Sequence, residues 1–143
     1  MAKYEDLHVT KLRIGDPSYD TSLNVHSASY TIGAEGTNAI TVNIQLKDFL
    51  GKDLARRNAV MAYLSNDANG DTIEAASAGL SVAAGTDGLV IELATDNHFM
   101  LVSESDGDID VVVTETTGAN SIYLILVMPD GHLVPSGVLT FAA

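Results

Sequence analysis

The sequence predicts an all-β fold, a sandwich or barrel of short strands, and two observations carry that expectation. Apolar and polar residues alternate with a period of two from Ala39 onward, and the alternating stretches are separated by Asn69-Gly70, Asp87-Gly88, Asp106-Gly107 and Asp130-Gly131. Successive strand side chains point to opposite faces, so alternation marks a half-buried strand. Asx-Gly pairs supply the positive φ angles of tight turns, so their recurrence marks the strand ends. With 143 residues, 46% of them hydrophobic and 18% charged, the chain has the length and composition of one packed domain.

Ile40, Val42, Ile44 and Leu46 share one face of the first clear strand, with Thr41, Asn43, Gln45 and Lys47 on the other. Asp48-Phe49-Leu50-Gly51-Lys52-Asp53 reads as the turn that follows, and Val60, Ala62 and Leu64 resume the alternation. Leu89, Ile91 and Leu93 come next, then Phe99 and Leu101, then Ile109, Val111 and Val113. Between Ile122 and Met128 the intervening Tyr123, Ile125 and Val127 are apolar too, which predicts a central strand covered on both faces. Pro135 lacks a backbone donor, so the final strand, Val138 to Phe141, is expected at an edge or beside a bulge. Thr72 to Ala84 is Ala-rich but broken by Gly79 and serines, and reads as loop with a short helical turn. Gly85-Thr86-Asp87-Gly88 reads as a hairpin turn.

Before Ala39 the pattern weakens. Leu23 to Ile32 reads as the first strand of the sandwich, whereas the residues before it, interrupted by Gly15-Asp16-Pro17, read as an appended arm. The expected organisation is an N-terminal arm over residues 1–20 and a sandwich over residues 21–143. Met1 to Ile14 is too charged for a secretory signal, and the strongest apolar run, Ile122 to Met128, is far shorter than the roughly 20 residues of a membrane span. A soluble protein made in the cytoplasm, with no membrane partner, is expected.

Charge is distributed unevenly. All 7 Lys and Arg lie at or before Arg57, together with 7 of the 19 Asp and Glu, so the first 57 residues are neutral and the rest carries the formal −12. An 86-residue stretch without a cation cannot displace counterions from nucleic acid and is repelled by anionic membranes. Phosphoryl-transfer chemistry, which recruits Arg or Lys clamps, is also disfavoured. With no Cys there is no disulfide, thiolate metal site or Cys nucleophile.

Motifs for catalysis are weak. Asp67-x-Asn69-x-Asp71 and Asp106-x-Asp108-x-Asp110 have the spacing that opens a calcium loop. The first offers Thr72 and Ala78 where an EF-hand needs Gly and Glu, and the second offers Val111 and Thr117, so both read as turns flanked by solvated carboxylates. His8, His26, His98 and His132 are scattered without metal-ligand spacing, and His132 reads as a turn-flanking surface residue. His98, beside Asp96 and Asn97, is a candidate for a constellation with a distant Ser, but no G-x-S-x-G elbow is present. No catalytic residue, cofactor or metal site is assigned, and a non-enzymatic role is expected. Tyr4, Tyr19 and Tyr30 fall in the N-terminal third, and Tyr and Arg are enriched at protein contacts, which makes this region the expected interface.

A resemblance adds to this reading. Ala39 to Leu54 resembles the early strand and turn of bacterial immunoglobulin-like domains. Val60 to Asp71, Gly85 to Gly88, Leu101 to Asp110 and Tyr123 to Gly131 together resemble small structural proteins of tailed bacteriophages, similar to head decoration, or cement, proteins. The resemblance covers about residues 25–142 and implies an immunoglobulin-like antiparallel β-sandwich, to which the N-terminal arm is appended. It further implies a virion protein on the outer capsid surface that binds the major capsid protein, bridges neighbouring subunits and acts as a homo-oligomer, commonly a trimer. The residues expected to make that contact are Lys3, Tyr4, Lys11, Arg13 and Tyr19 in the arm, with Arg56 and Arg57 as a second cationic pair. The alternative is an immunoglobulin-like module of adhesion or of the phage tail that binds a carbohydrate, a role that the absence of Trp weakens.

Overall fold

A computed structural model describes residues 24–75 and 79–142, together with the backbone of two short strands in the N-terminal segment. Those two, β1 (Lys11–Arg13) and β2 (Ser18–Asp20), pair antiparallel with Leu12 opposite Tyr19. The rest is all-β and antiparallel. The strands are β3 (Ser27–Ile32), β4 (Ala39–Lys47), β5 (Ala59–Ser65), β6 (Leu80–Ala84), β7 (Leu89–Ala94), β8 (His98–Val102), β9 (Asp108–Glu115), β10 (Asn120–Val127), β11 (Leu133–Pro135) and β12 (Leu139–Phe141).

They form two sheets packed face to face, one ordered β3-β4-β9-β6 and the other β11-β10-β5-β8-β7, with β12 also pairing β10. The first order is the A-B-E-D sheet of an immunoglobulin constant-type sandwich, and β5-β10-β11 is its C-F-G sheet. What departs from that layout is the β7–β8 hairpin, inserted between the D and E equivalents and added to the free side of β5. The immunoglobulin-like expectation comes from the resemblance, and the strand order agrees with it.

The core lies where the alternation put it. Ile40, Val42, Ile44 and Leu46 from β4 and Ile109, Val111 and Val113 from β9 face Val60, Ala62, Leu64, Phe99, Leu101, Ile122, Leu124 and Leu126, all buried. Burying each of these side chains other than Ala62 favours folding by about 1.5–3 kcal/mol. β10 is central, with β5 on one side and β11 and β12 on the other, and Ile125 on its second face is also buried. Pro135 ends β11, and the register against β10 shifts between β11 and β12. At that bulge Ser136 keeps the ladder joined, its N–H donating to the Leu124 carbonyl and its hydroxyl accepting from the Leu124 N–H.

Three sequence expectations are corrected. The Thr72–Ala84 stretch contains no described helical turn; Leu80–Ala84 is β6, whose small side chains pair with Val111 to Glu115 of β9. Gly85–Gly88 is not a hairpin turn, because β6 and β7 belong to different sheets and the segment links them across the side of the sandwich. Leu89, Ile91 and Leu93 alternate as read, but they point outward: β7 presents Val90 to the core.

Candidate functional site

Strand registers gather several connections at one end of the sandwich. Gln45 lies opposite Asp108, Ala59 and Leu89 opposite Val102, and Val127 opposite Met61. The β4–β5 connection, the β8–β9 turn, the β10–β11 turn and the 85–88 link therefore meet there. Ser27 pairs with Lys47, so residues 24–26, through which the N-terminal segment joins β3, reach the same end.

The most prominent feature of this end is the turn after β4. Asp48 is buried at 4% exposure, and its carboxylate accepts from the N–H groups of Leu50 and Lys52. The Gly51 N–H donates to the Asp48 carbonyl, and Gly51 takes a φ of 76°. With the inner side of the turn occupied by Asp48, Phe49 and Leu50 are pushed outward, exposed at 67% and 55%. Leu54 then returns to the core, and its N–H donates to the Leu46 carbonyl. The β8–β9 turn packs tightly behind it: Gly107 has a φ of 84°, and a Cβ there would lie 2.5 Å from the Leu54 carbonyl oxygen. Only glycine satisfies both demands.

All four Lys and Arg whose side chains are described, Lys47, Lys52, Arg56 and Arg57, lie at this end. Lys47 pairs with Asp53 at 2.5 Å and Arg57 with Glu104 at 2.6 Å. Both pairs are open to solvent and worth little to stability, so they remain available to exchange partners. Leu50, Lys52 and Arg56 line a surface depression of about 250 Å³. Of the residues expected at the interface, Arg56 and Arg57 are brought to this end. Lys3 and Tyr4, and the side chains of Lys11, Arg13 and Tyr19, lie outside the described residues. Tyr30 serves a different purpose: its hydroxyl donates to the Val134 carbonyl at 2.5 Å, joining β3 to β11 across the two sheets, and burial pushes its pKa up.

Sequence spacing missed one cluster altogether. His26 and His132, 106 positions apart, converge on Asp130. His132 Nδ1 lies 2.5 Å from Asp130 Oδ1, His26 Nδ1 lies 3.9 Å from Asp130 Oδ2, and the two rings are 5.1 Å apart. Hydrogen bonds from the His132 backbone N–H and ring hold the Asp130 carboxyl below the usual range. The Asp130-Gly131-His132 triplet carried no signal alone because its partner arrives from the start of β3. His98, by contrast, bonds Asn97 at 2.6 Å and stacks on Tyr63, contacts that orient the ring.

The acidic spacings resolve as turns at Asp67 and Asp106, but Asp110 is not a solvated flank: it lies buried within β9. Asp67 Oδ1 accepts from the Asn69 N–H and Asp106 Oδ1 from the Asp108 N–H. Asp87, Asp108 and Asp110 do cluster, but both carboxylate oxygens of Asp110 are engaged, one by Asn43 and the other by the Thr86 hydroxyl. Burial, with the neighbouring Asp110 carboxylate adding to it, raises the pKa of Asp108.

A second surface lies on the flank. Leu133, Val127, Met61, Met100 and Ile91 are cross-strand neighbours in one row over the outer face of the larger sheet. Part of that face is covered, since Gly70 packs over Tyr63 and Ile125; the part around Met61 and Ile91 is open. Compared with known proteins, the chain matches no family, no curated protein and no solved structure.

Proposed function

We propose that the chain is a non-enzymatic structural protein of a phage virion that docks end-on to the outer surface of the mature capsid. It stabilises the capsid by bridging major capsid subunits, and it acts as a homo-oligomer, with a trimer favoured. One observation carries this reading: an exposed apolar tip, Phe49-Leu50, and every Lys and Arg of residues 24–142 share one end with the point where the N-terminal segment joins the sandwich. Interfaces combine an apolar anchor with a polar rim, and Arg is enriched there. The sequence resemblance to head decoration proteins supplies the partner.

A protein that binds only the mature lattice stabilises that lattice by mass action. The acidic surface elsewhere disfavours contact with nucleic acid, which leaves the end that carries the described cations and the apolar tip as the sticking surface. Mixing the purified protein with undecorated, expanded capsids of the cognate phage is expected to give saturable binding at a fixed stoichiometry. Absence of binding to mature capsids overturns the proposal.

A further inference from the structure

We propose that His26, Asp130 and His132 form a binding site for a divalent transition-metal ion of the zinc type. One donor atom from each residue lies within 4.8 Å of the others. Around a tetrahedral ion with bonds of about 2.0–2.1 Å, donors sit about 3.3 Å apart, so the site closes by small side-chain rotations. Two imidazoles and one carboxylate suit zinc and its neighbours, whereas calcium and magnesium prefer oxygen donors.

Each donor is held by backbone that does not depend on the ion. The β10–β11 turn is closed by the Gly131 N–H to the Met128 carbonyl and the Met128 N–H to the His132 carbonyl, which sets Asp130 and His132 side by side. His26 is fixed by its N–H on the Lys47 carbonyl and by its ring packing 5.1 Å from Phe49. All three side chains are roughly half exposed, so an ion has access and a fourth position stays open to water or to a donor from a partner. Bound there, the ion ties β3, at the root of the N-terminal segment, to the β10–β11 turn of the opposite sheet. The inference is independent of the capsid reading, because it concerns the isolated protein.

The test is titration of the untagged full chain with zinc chloride by calorimetry, with calcium and magnesium chloride as controls. Zinc is expected to bind at one ion per chain and to shift the imidazole NMR signals of His26 and His132, with neither control ion binding at this site. His132→Ala and His26→Gln are each expected to weaken zinc binding by at least about tenfold, the scale at which losing even a hydrogen-bonding partner of a metal ligand is felt. Asp130→Asn keeps an acceptor oxygen in the turn and is expected to weaken binding similarly, which separates lost ligation from misfolding. His98→Gln is expected to bind as the wild type does. No zinc binding, or binding undiminished by all three site substitutions while their thermal melts stay cooperative, overturns the proposal.

Discussion

β4 and β7 carry the same sequence signal and meet opposite fates. Ile40, Val42, Ile44 and Leu46 are buried to 2% exposure or less, whereas Leu89, Ile91 and Leu93 are exposed at 51%, 38% and 48%. The difference is positional. β4 lies between β3 and β9 in a sheet whose inner face is covered by the other sheet, while β7 is the outermost strand of an inserted hairpin. Its register against β8 sets Val90 beside Leu101 and Ile91 beside Met100, so the core takes Val90 and the outward row takes the alternating Leu-Ile-Leu set. Alternation announces a strand; the register of the hairpin decides which face is inside.

The contrast is broken most severely from the β4 side. Leu46→Ala is expected to lower the unfolding free energy by about 2–5 kcal/mol, through lost burial and a residual cavity, as read by urea denaturation. Tyr30→Phe comes next. It leaves the Val134 carbonyl without its donor where β3 meets β11, and is expected to cost about 1–3 kcal/mol while the fold persists. On the β7 side, Ile91→Ser is expected to change stability by less than about 1 kcal/mol and to reduce self-association at high concentration, since an exposed apolar edge strand is a template for pairing. A loss comparable with that of Leu46→Ala would mean that the outward row is covered in the native protein.

Acid titration sharpens the comparison between the two ends of the sandwich. Glu115, at the end away from the candidate site, is buried and accepts from the Thr117 hydroxyl at 2.6 Å and from the Thr117 N–H at 2.8 Å. These bonds, the Thr117 side chain first, hold its pKa below the ordinary 4.5. Its contribution to stability is therefore complete above that value and is lost as the pH falls through the lower folded-state pKa. Asp108, at the site end, behaves oppositely: its pKa is raised above 3.8, so its ionised form opposes folding at neutral pH and protonation relieves it. Glu115→Gln is expected to flatten the acid limb of a stability–pH curve, and Asp108→Asn to raise stability at pH 7. The reverse pair of outcomes would show that the two carboxyls have been assigned the wrong signs.

Most of the framework was legible from residue order. The strands at Ile40, Val60, Phe99, Ile109 and Ile122 were visible because half-buried strands imprint a period of two, and the turns because Gly70, Gly88, Gly107 and Gly131 all take φ between 82° and 89°. β6 was hidden because Leu80–Ala84 is short and Ala-rich, and it becomes a strand through pairing with β9. The site was legible only in part. Arg56 and Arg57 stood out as a local pair, but their meeting with Phe49, His26 and Asp130 depends on long-range register. A histidine pair 106 positions apart leaves no local pattern at all.

The most direct test of end-on docking compares two variants in one capsid-binding titration. Phe49→Ser with Leu50→Ser alters the tip, and Ile91→Ser alters the flank; all three side chains are exposed, so both proteins are expected to fold. The expected result is loss of capsid binding for the tip variant and wild-type stoichiometry for the flank variant. Binding retained by the tip variant and lost by the flank variant would contradict the account.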